Sequence, residues 1–397
     1  MQPAGHLSFR PVNALKGSLH AGRLAGIPRK VLVVLQFSVS VILIIGTIVV
    51  YRQVQYAKNR PIGYNRNGLL LIRPNSTEFH DHFTALRNDL LQTGLIRDVA
   101  ESGNTITRGG RTEGGFKWKG KNPSLRDEFA SFAVTYDYGK VIGWQISADR
   151  DFSPSFSTDA SGLILNEAAV AYMGLKNPVG ETVTRGEKKY TVIGVSRNMI
   201  INSPYEPVKP TLFYITPEAG LLNIRISPRA SAQEALGKIE FILKKYSPSS
   251  PFIYQFADEQ YAAKFSNEER IGALAGLFAG LAIFISCLGL FGLTSFMAEQ
   301  RFKEIGVRKI LGASVLNLWG LLSKDFTVLV LISLFIATPV GWYLMKQWLQ
   351  HYTYHPEIPW WIFAMTGLGA MLITLLTISY QSIKAARMNP VKSLRTE

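Results

Sequence analysis

The sequence predicts an α-helical membrane protein with four transmembrane helices and a large α+β extracytoplasmic domain inserted between spans 1 and 2. Three observations predict it. Four stretches carry no charged residue over at least the roughly 20 residues that a helix needs to cross a bilayer. They are Val31–Val50, Ile271–Ala298, Phe326–Met345 and Ile358–Ile383. The long segment between the first two mixes helix-like and strand-like patterns, and Lys and Arg crowd one side of the spans. A composition of 47% hydrophobic and 18% charged residues is too apolar for an ordinary soluble domain and too charged for a purely intramembrane one.

Taken in order, residues 1–30 form a cytoplasmic N-terminal connector. Its "FRPVNALKGS" echoes the terminal "MNPVKSLRTE", aligning Pro11, Val12, Leu15 and Lys16 with Pro390, Val391, Leu394 and Arg395. The chain therefore reads as a complete four-span unit or as the C-terminal half of a duplicated eight-span protein. Transmembrane helix 1 (31–50) is too long for a signal-peptide core and runs on into "VVYRQVQY", so it stays as an anchor. "YRQVQYAKNR" extends it as a stalk until Pro61 and Gly63, and "DEQYAAKFSNEER" leads without a breaker into the second span.

The insert (51–270) is long enough for its own core. "NSTEFHDHFTALRNDLLQ" sets Phe79, Phe83, Leu86 and Leu90 on one helical face, with Ser76 or Thr77 as cap. "SAQEALGKIEFILKKY" opens with a Ser231/Glu234 capping box and buries Leu236, Ile239 and Leu243. "GLLLIRP", "GFKWKG", "KYTVIGVS", "TLFYIT" and "LNIRIS" read as strands. Transmembrane helix 2 (271–298), a cytoplasmic coupling helix and loop (299–325), helix 3 (326–345), a short external loop (346–357), helix 4 (358–383) and a cytoplasmic tail (384–397) complete the chain. Basic residues before span 1, between spans 2 and 3, and after span 4 fall on one face, which places both termini in the cytoplasm. The net charge of +15 then reflects topology and contact with membrane lipids, and a nucleic-acid partner is disfavoured.

The insert carries no recognisable catalytic constellation. His80 and His82 stand two apart and face different ways on a helix, so they read as solvated polar residues rather than metal ligands. "RGGRTEGG" lacks the Gly-Lys-Ser/Thr ending of a phosphate-binding loop, and adjacent carboxylates such as Asp127 and Glu128 diverge. Cys287 is the single cysteine, which excludes an internal disulfide. No catalytic, cofactor-binding or metal residues are assigned, and the domain reads as a binding or force-bearing module.

One short charged stretch interrupts the apolar spans: "EQRFKEIGVRKILGAS", residues 299–314. On a helix Arg301, Glu304 and Arg308 share a face, and Glu304 precedes Arg308 by four, the favourable order for an ion pair. Phe302, Val307 and Ile310 cover much of the remainder, Gly312 is a natural stop, and Ser314 can cap the next helix. A topology anchor on anionic lipid and a docking helix for a cytoplasmic partner are both open. The alternating signs favour docking, because anionic lipid has no use for Glu299 or Glu304.

This stretch closely resembles the coupling motif of FtsX-like/MacB-like ABC transporter permeases. "ILNEAAVAYMGLKNPVGE", "YTVIGVSRN", "SPYEPVKP" and "NPVKSLRTE" are similar to Bacteroidetes-type members. The resemblance implies a MacB-like periplasmic core domain with stalk helices at both ends, and an FtsX-like permease region over about 271–390. It also implies a multi-pass permease of the bacterial inner membrane with the large domain in the periplasm. A separate cytoplasmic ATPase of the MacB/LolD type would drive it, and motion rather than a channel would move peptide, lipid or lipoprotein cargo. A second permease half or a homodimer, and a periplasmic adaptor, are the further partners implied. The coupling role would fall on Glu299, Arg301, Glu304, Gly306, Arg308, Lys309 and Gly312. The alternative is a non-transporting envelope sensor or activator of a cell-wall hydrolase.

Overall fold

The computed structural model describes residues 27–74, 78–216, 220–300, 304, 307–308, 311 and 313–387. The connector's Pro11 motif, its Pro390 counterpart and the Ser76 or Thr77 cap lie outside the described residues. The chain divides into two compact units. One holds residues 1–52, 270–349 and 357–397, and the other residues 53–269 with 350–356.

Four long helices build the first unit: α1 (Ile27–Lys58), which leaves it at Arg52, and, later in the chain, three more described below. α1 buries Val33, Phe37, Val41, Ile45 and Val49, a strict four-residue repeat along one face, while Leu32, Leu35 and Val39 stay exposed. In water such exposure would be costly, but in lipid both faces of a span are apolar and the packed face is distinguished by fit.

The described residues of the inserted unit build one twelve-stranded sheet. In chain order its elements are β1 (Leu69–Ile72), α2 (Glu78–Asp81), α3 (Phe83–Gln92), β2 (Ile96–Ser102), β3 (Arg111–Glu113), β4 (Phe116–Lys117), β5 (Phe129–Val134), α4 (Tyr138–Ile142) and β6 (Ile146–Asp149). There follow β7 (Gly162–Asn166), α5 (Glu167–Met173), β8 (Thr182–Arg185), β9 (Lys188–Ser196), β10 (Thr211–Ile215), β11 (Leu221–Ile226), α6 (Ala232–Tyr246), β12 (Tyr254–Phe256) and α7 (Ala257–Ala262). The strands run in the order β12-β1-β11-β2-β5-β10-β7-β9-β8-β4, with β3 on β5 and β6 on β9. Among the described residues only β5/β10 and β7/β9 pair in parallel.

The period-two rule explains why "LLLI" has no polar alternation. Leu70 and Ile72 enter a core beneath α3 and α6, whereas Leu69 and Leu71 enter a second core with Tyr138, Val141 and Ile142 of α4. Both faces are covered, so both must be apolar. A third core joins Phe129, Leu163, Leu165 and Val192 to Ala169 and Met173 of α5. That helix starts where the Asn166 side chain accepts a 2.8 Å hydrogen bond from Ala169 N, and ends at left-handed Gly174.

Three local expectations are corrected. The helix over 78–92 is broken at His82 into α2 and α3, although Phe79, Leu86 and Leu90 are buried as its periodicity requires. Ser231 stands at the start of α6 without a side-chain cap bond, so the Ser231/Glu234 box does not form. The face of α6 is also rotated, with Ala235, Ile239, Ile242 and Leu243 buried and Leu236 only half-buried.

The remaining helices of the membrane unit are α8 (Ser266–Gln300, joining the unit at Arg270), α9 (Val315–Leu349) and α10 (Trp361–Arg387). The fourth helix begins at Trp361 and not at Ile358, with Ile362 N donating to Pro359 O at 3.2 Å at its start. Leu290 of α8, Phe326, Val330 and Ala337 of α9, and Ile362, Ala370 and Ile378 of α10 pack on the α1 stripe. α1 buries the largest share of its span and α8 the smallest. Small residues and hydroxyls supply the close fit. A Cβ on Gly276 would lie 3.7 Å from Thr47, and one on Gly341 would lie 3.2 Å from Ile45. Ser40 and Ser286 share a hydrogen bond at 3.2 Å, and Ser333 Oγ donates to Val34 O at 3.1 Å.

Candidate coupling site

The segment between α8 and α9 belongs to the membrane unit. Glu299 is exposed in the last turn of α8. Farther on, Arg308 Nη2 lies 2.8 Å from Glu304 Oε1, one helical turn apart, with both side chains about half exposed. An exposed pair at this spacing stabilises its helix by only about 0.3–0.5 kcal/mol. Both groups therefore remain available to other charges. Val307 and Leu311 add an apolar stripe beside the pair, 48% and 80% exposed. The turn closes where Ala313 N donates to Arg308 O at 2.9 Å, the long backward reach that ends many helices. α9 then starts with Asn317 N donating to Ser314 Oγ at 3.2 Å, a side-chain N-cap. Arg301, Gly306, Lys309 and Gly312 lie outside the described residues.

A contact that sequence reasoning missed ties this end of the bundle together. The Arg29 guanidinium stands 4.4 Å from the centre of the Phe296 ring, joining the start of α1 to the end of α8.

The inserted unit has its own junction, where three chain segments converge. They are the last turns of α1 (Gln53–Lys58), the run from α7 through the start of α8, and the loop 350–356. Val54, Ala57, Tyr261 and Phe265 bury their side chains with Ile200 and Tyr205, and Tyr352 packs against them with its ring 5.0 Å from Tyr205. Fully buried Gln53 donates from Nε2 to Tyr354 O at 3.0 Å. Arg60 covers the Tyr354 ring at 3.7 Å, and Lys58 pairs with Glu269, linking the α1 extension to α8. Lys264 donates to the carbonyls of Ile201, at 2.6 Å, and Asn202. Burial without a counter-charge pushes its amine down to about 8. Residues 200–205 are thus clamped by all three segments. The only sequence signal for the loop's share was the aromatic pair in "HYTYH", which periodicity cannot interpret.

The histidine pair resolves into two separate environments. His80 Nδ1 lies 2.9 Å from Glu101 Oε2, and the His82 ring leans on Tyr246. Glu101 is almost fully buried, and burial raises its carboxyl to about 7 despite the imidazole beside it.

Four spanning helices, one large insert after the first and an exposed charged turn between the second and third define a polytopic membrane permease. Residues 31–241 match the MacB-like periplasmic core domain model and residues 276–390 match the FtsX-like permease C-terminal model. The chain belongs to this family of ABC transporter permeases. It is 24% identical over 281 residues to the macrolide export ATP-binding/permease protein MacB of Neisseria meningitidis, covering 66% of this chain and 43% of that one. It is 22% identical over 273 residues to the ABC transporter permease YknZ of Bacillus subtilis, covering 66% and 68% respectively. The chain thus spans less than half the length of the MacB relative. The periplasmic region of MacB from Actinobacillus actinomycetemcomitans aligns with 16% identity and a TM-score of 0.37, over 49% of this chain and 91% of that one.

Proposed function

We propose that this chain is the permease subunit through which a separate cytoplasmic ATPase moves a periplasmic domain, for export or extraction of peptide, lipid or lipoprotein cargo. The exposed Glu304–Arg308 pair beside Val307 and Leu311 carries the reading. It is an amphipathic, weakly self-satisfied surface of the kind a protein partner can occupy, at a turn that the basic flanks place in the cytoplasm. Docking of the ATPase displaces this turn, α8 and α1 carry the displacement along their axes, and the 200–205 clamp receives it. Both termini lie in the cytoplasm and the insert in the periplasm, and two permease units work together, as copies or as halves of a longer protein.

The test is ATPase stimulation in reconstituted vesicles. Exchanging the charges (Glu304→Arg with Arg308→Glu) keeps the helix pair but presents reversed signs to the partner. Stimulation is expected to fall about ten-fold or more with normal membrane insertion, since a misplaced interface charge pair is worth more than 1.4 kcal/mol. Unchanged stimulation in the exchange variant would reject the docking role.

A further inference from the structure

Beside the junction, the inserted unit opens a cleft of about 430 Å³ over the sheet face at its β1–β12 end. The volume is in the range of small-ligand sites. Leu71 and Leu221 form an apolar floor, and Leu71 stands opposite Gln255 across the β1–β12 ladder. The walls combine amides and hydroxyls, from Asn104, Thr105, Gln255 and Gln260, with the exposed apolar side chains of Ile253 and Tyr254, and Arg73 and Arg108 are the charged residues of the lining. A second hollow of about 330 Å³ shares Arg108, Gln255 and Gln260 and reaches Lys264.

The wall that carries Arg108 is held in place from several sides. Ile106 is fully buried in the core, Thr107 Oγ1 donates to Gln260 Oε1, and Arg108 N donates to Thr105 O at 3.2 Å. Gly109 has a φ of +93° and lies so close to Asn202 that a Cβ there would sit 1.9 Å from its Oδ1. Gln260 Nε2 in turn donates to Gln255 Oε1, which fixes the opposite wall.

Charge is unbalanced across this surface. Arg73, Arg108 and Lys264 face a single carboxylate, Glu259, and among the described residues neither guanidinium has an acidic partner. An arginine fork without a carboxylate of its own is shaped to take one bidentately. The amides suit a peptide main chain, whose N–H and C=O groups need partners, and Ile253 and Tyr254 can cover the apolar side chains of such a segment.

We propose that this cleft binds an extended acidic peptide segment, with a carboxylate held between Arg73 and Arg108 and the main chain against Gln255, Gln260 and Asn104. The site is independent of the coupling reading, because its occupancy is measured without ATP or an ATPase.

The purified full chain in detergent micelles is titrated against a dye-labelled heptapeptide of alternating Asp and Leu, and fluorescence anisotropy is read. The same peptide with Asn for Asp and an amidated C-terminus is the neutral probe. Saturable binding of the acidic peptide is expected, with little binding of the neutral one. The Arg73→Gln/Arg108→Gln double variant should weaken it about ten-fold or more, and Lys188→Gln, remote on β9, should not. Both arginines are exposed, so the melting temperature should be unchanged, which separates lost binding from lost fold. Equal binding of the two peptides, or full affinity in the double variant, would overturn the proposal. Displacement by glycerol 1-phosphate but not by acetyl-aspartate would overturn the peptide assignment in favour of a lipid phosphate.

Discussion

The inserted unit and the coupling turn treat charge in opposite ways. In the insert, Arg225 is 5% exposed and donates to the carbonyls of Asn65, Asn67 and Val141, and Lys264 donates to those of Ile201 and Asn202. Among the described residues neither cation forms a salt bridge; Asp98, opposite Arg225 across the β2–β11 ladder, offsets only part of the burial, which pushes Arg225 down to about 10. In the coupling turn Glu304 and Arg308 answer each other in the open. A buried cation held by backbone oxygens locks segments together, since moving it strands both charge and carbonyls. An exposed pair is easily exchanged for a partner's charges. The inserted unit thus holds its buried cations rigidly, whereas the turn after α8 keeps its charges exchangeable.

The largest effect that would break this contrast is at the junction. Phe265 is 1% exposed and touches Tyr205 and Tyr261, so Phe265→Ala should cost about 3–5 kcal/mol, read as a lower melting temperature of the solubilised chain. A loss under about 1 kcal/mol would show that the junction is not tightly packed.

Glu101 tests the buried-charge side of the contrast next. Its carboxyl is raised from the ordinary 4.5 to about 7, so the folded state holds that proton more tightly than the unfolded chain does. Between those values stability from this group rises as pH falls and declines as pH rises, and above about pH 7 the full penalty of a buried charge is present. Glu101→Gln should therefore stabilise the chain at pH 8 by about 3 kcal/mol, the offset from the His80 imidazole being already contained in the raised value, with the gain vanishing toward pH 4.5. A pH-independent difference would remove the buried-carboxylate account.

Smaller effects are expected in the membrane unit. Ser40→Ala, which deletes the Ser40–Ser286 bond, should cost about 0.6 kcal/mol in a reversible unfolding assay. Smallest of all, Glu304→Ala should change stability by about 0.5 kcal/mol or less while still lowering ATPase stimulation. A stability loss of several kcal/mol there would mean that the turn is a structural brace.

Much of the fold was legible in advance, and unevenly. The four spans follow from composition alone, because crossing lipid demands only a long enough apolar run. The Glu304/Arg308 pair and the Ser314 cap depend on residues three and four apart, which a helix brings together without help. Strands β2 ("IRDVAES") and β7 ("GLILN") were missed, since β7 is buried along its whole length and β2 over its last four residues, which leaves no alternation to detect. The His80 and His82 environments were equally invisible: "HDH" is a local motif, but Glu101 reaches His80 from another strand.

By itself, then, the sequence determined which segments are apolar enough to span, where the large insert lies, and which charged turn stays exposed. Those properties are local, set by side chains within one or two helical turns. Only the tertiary structure decided the strand order, the carbonyl cage around Arg225, the joining of Tyr352 and Tyr354 to the insert's junction, and the cleft between the 104–109 loop and β12. Each of these brings together residues far apart in the chain, and their pairing depends on the simultaneous packing of every element between them.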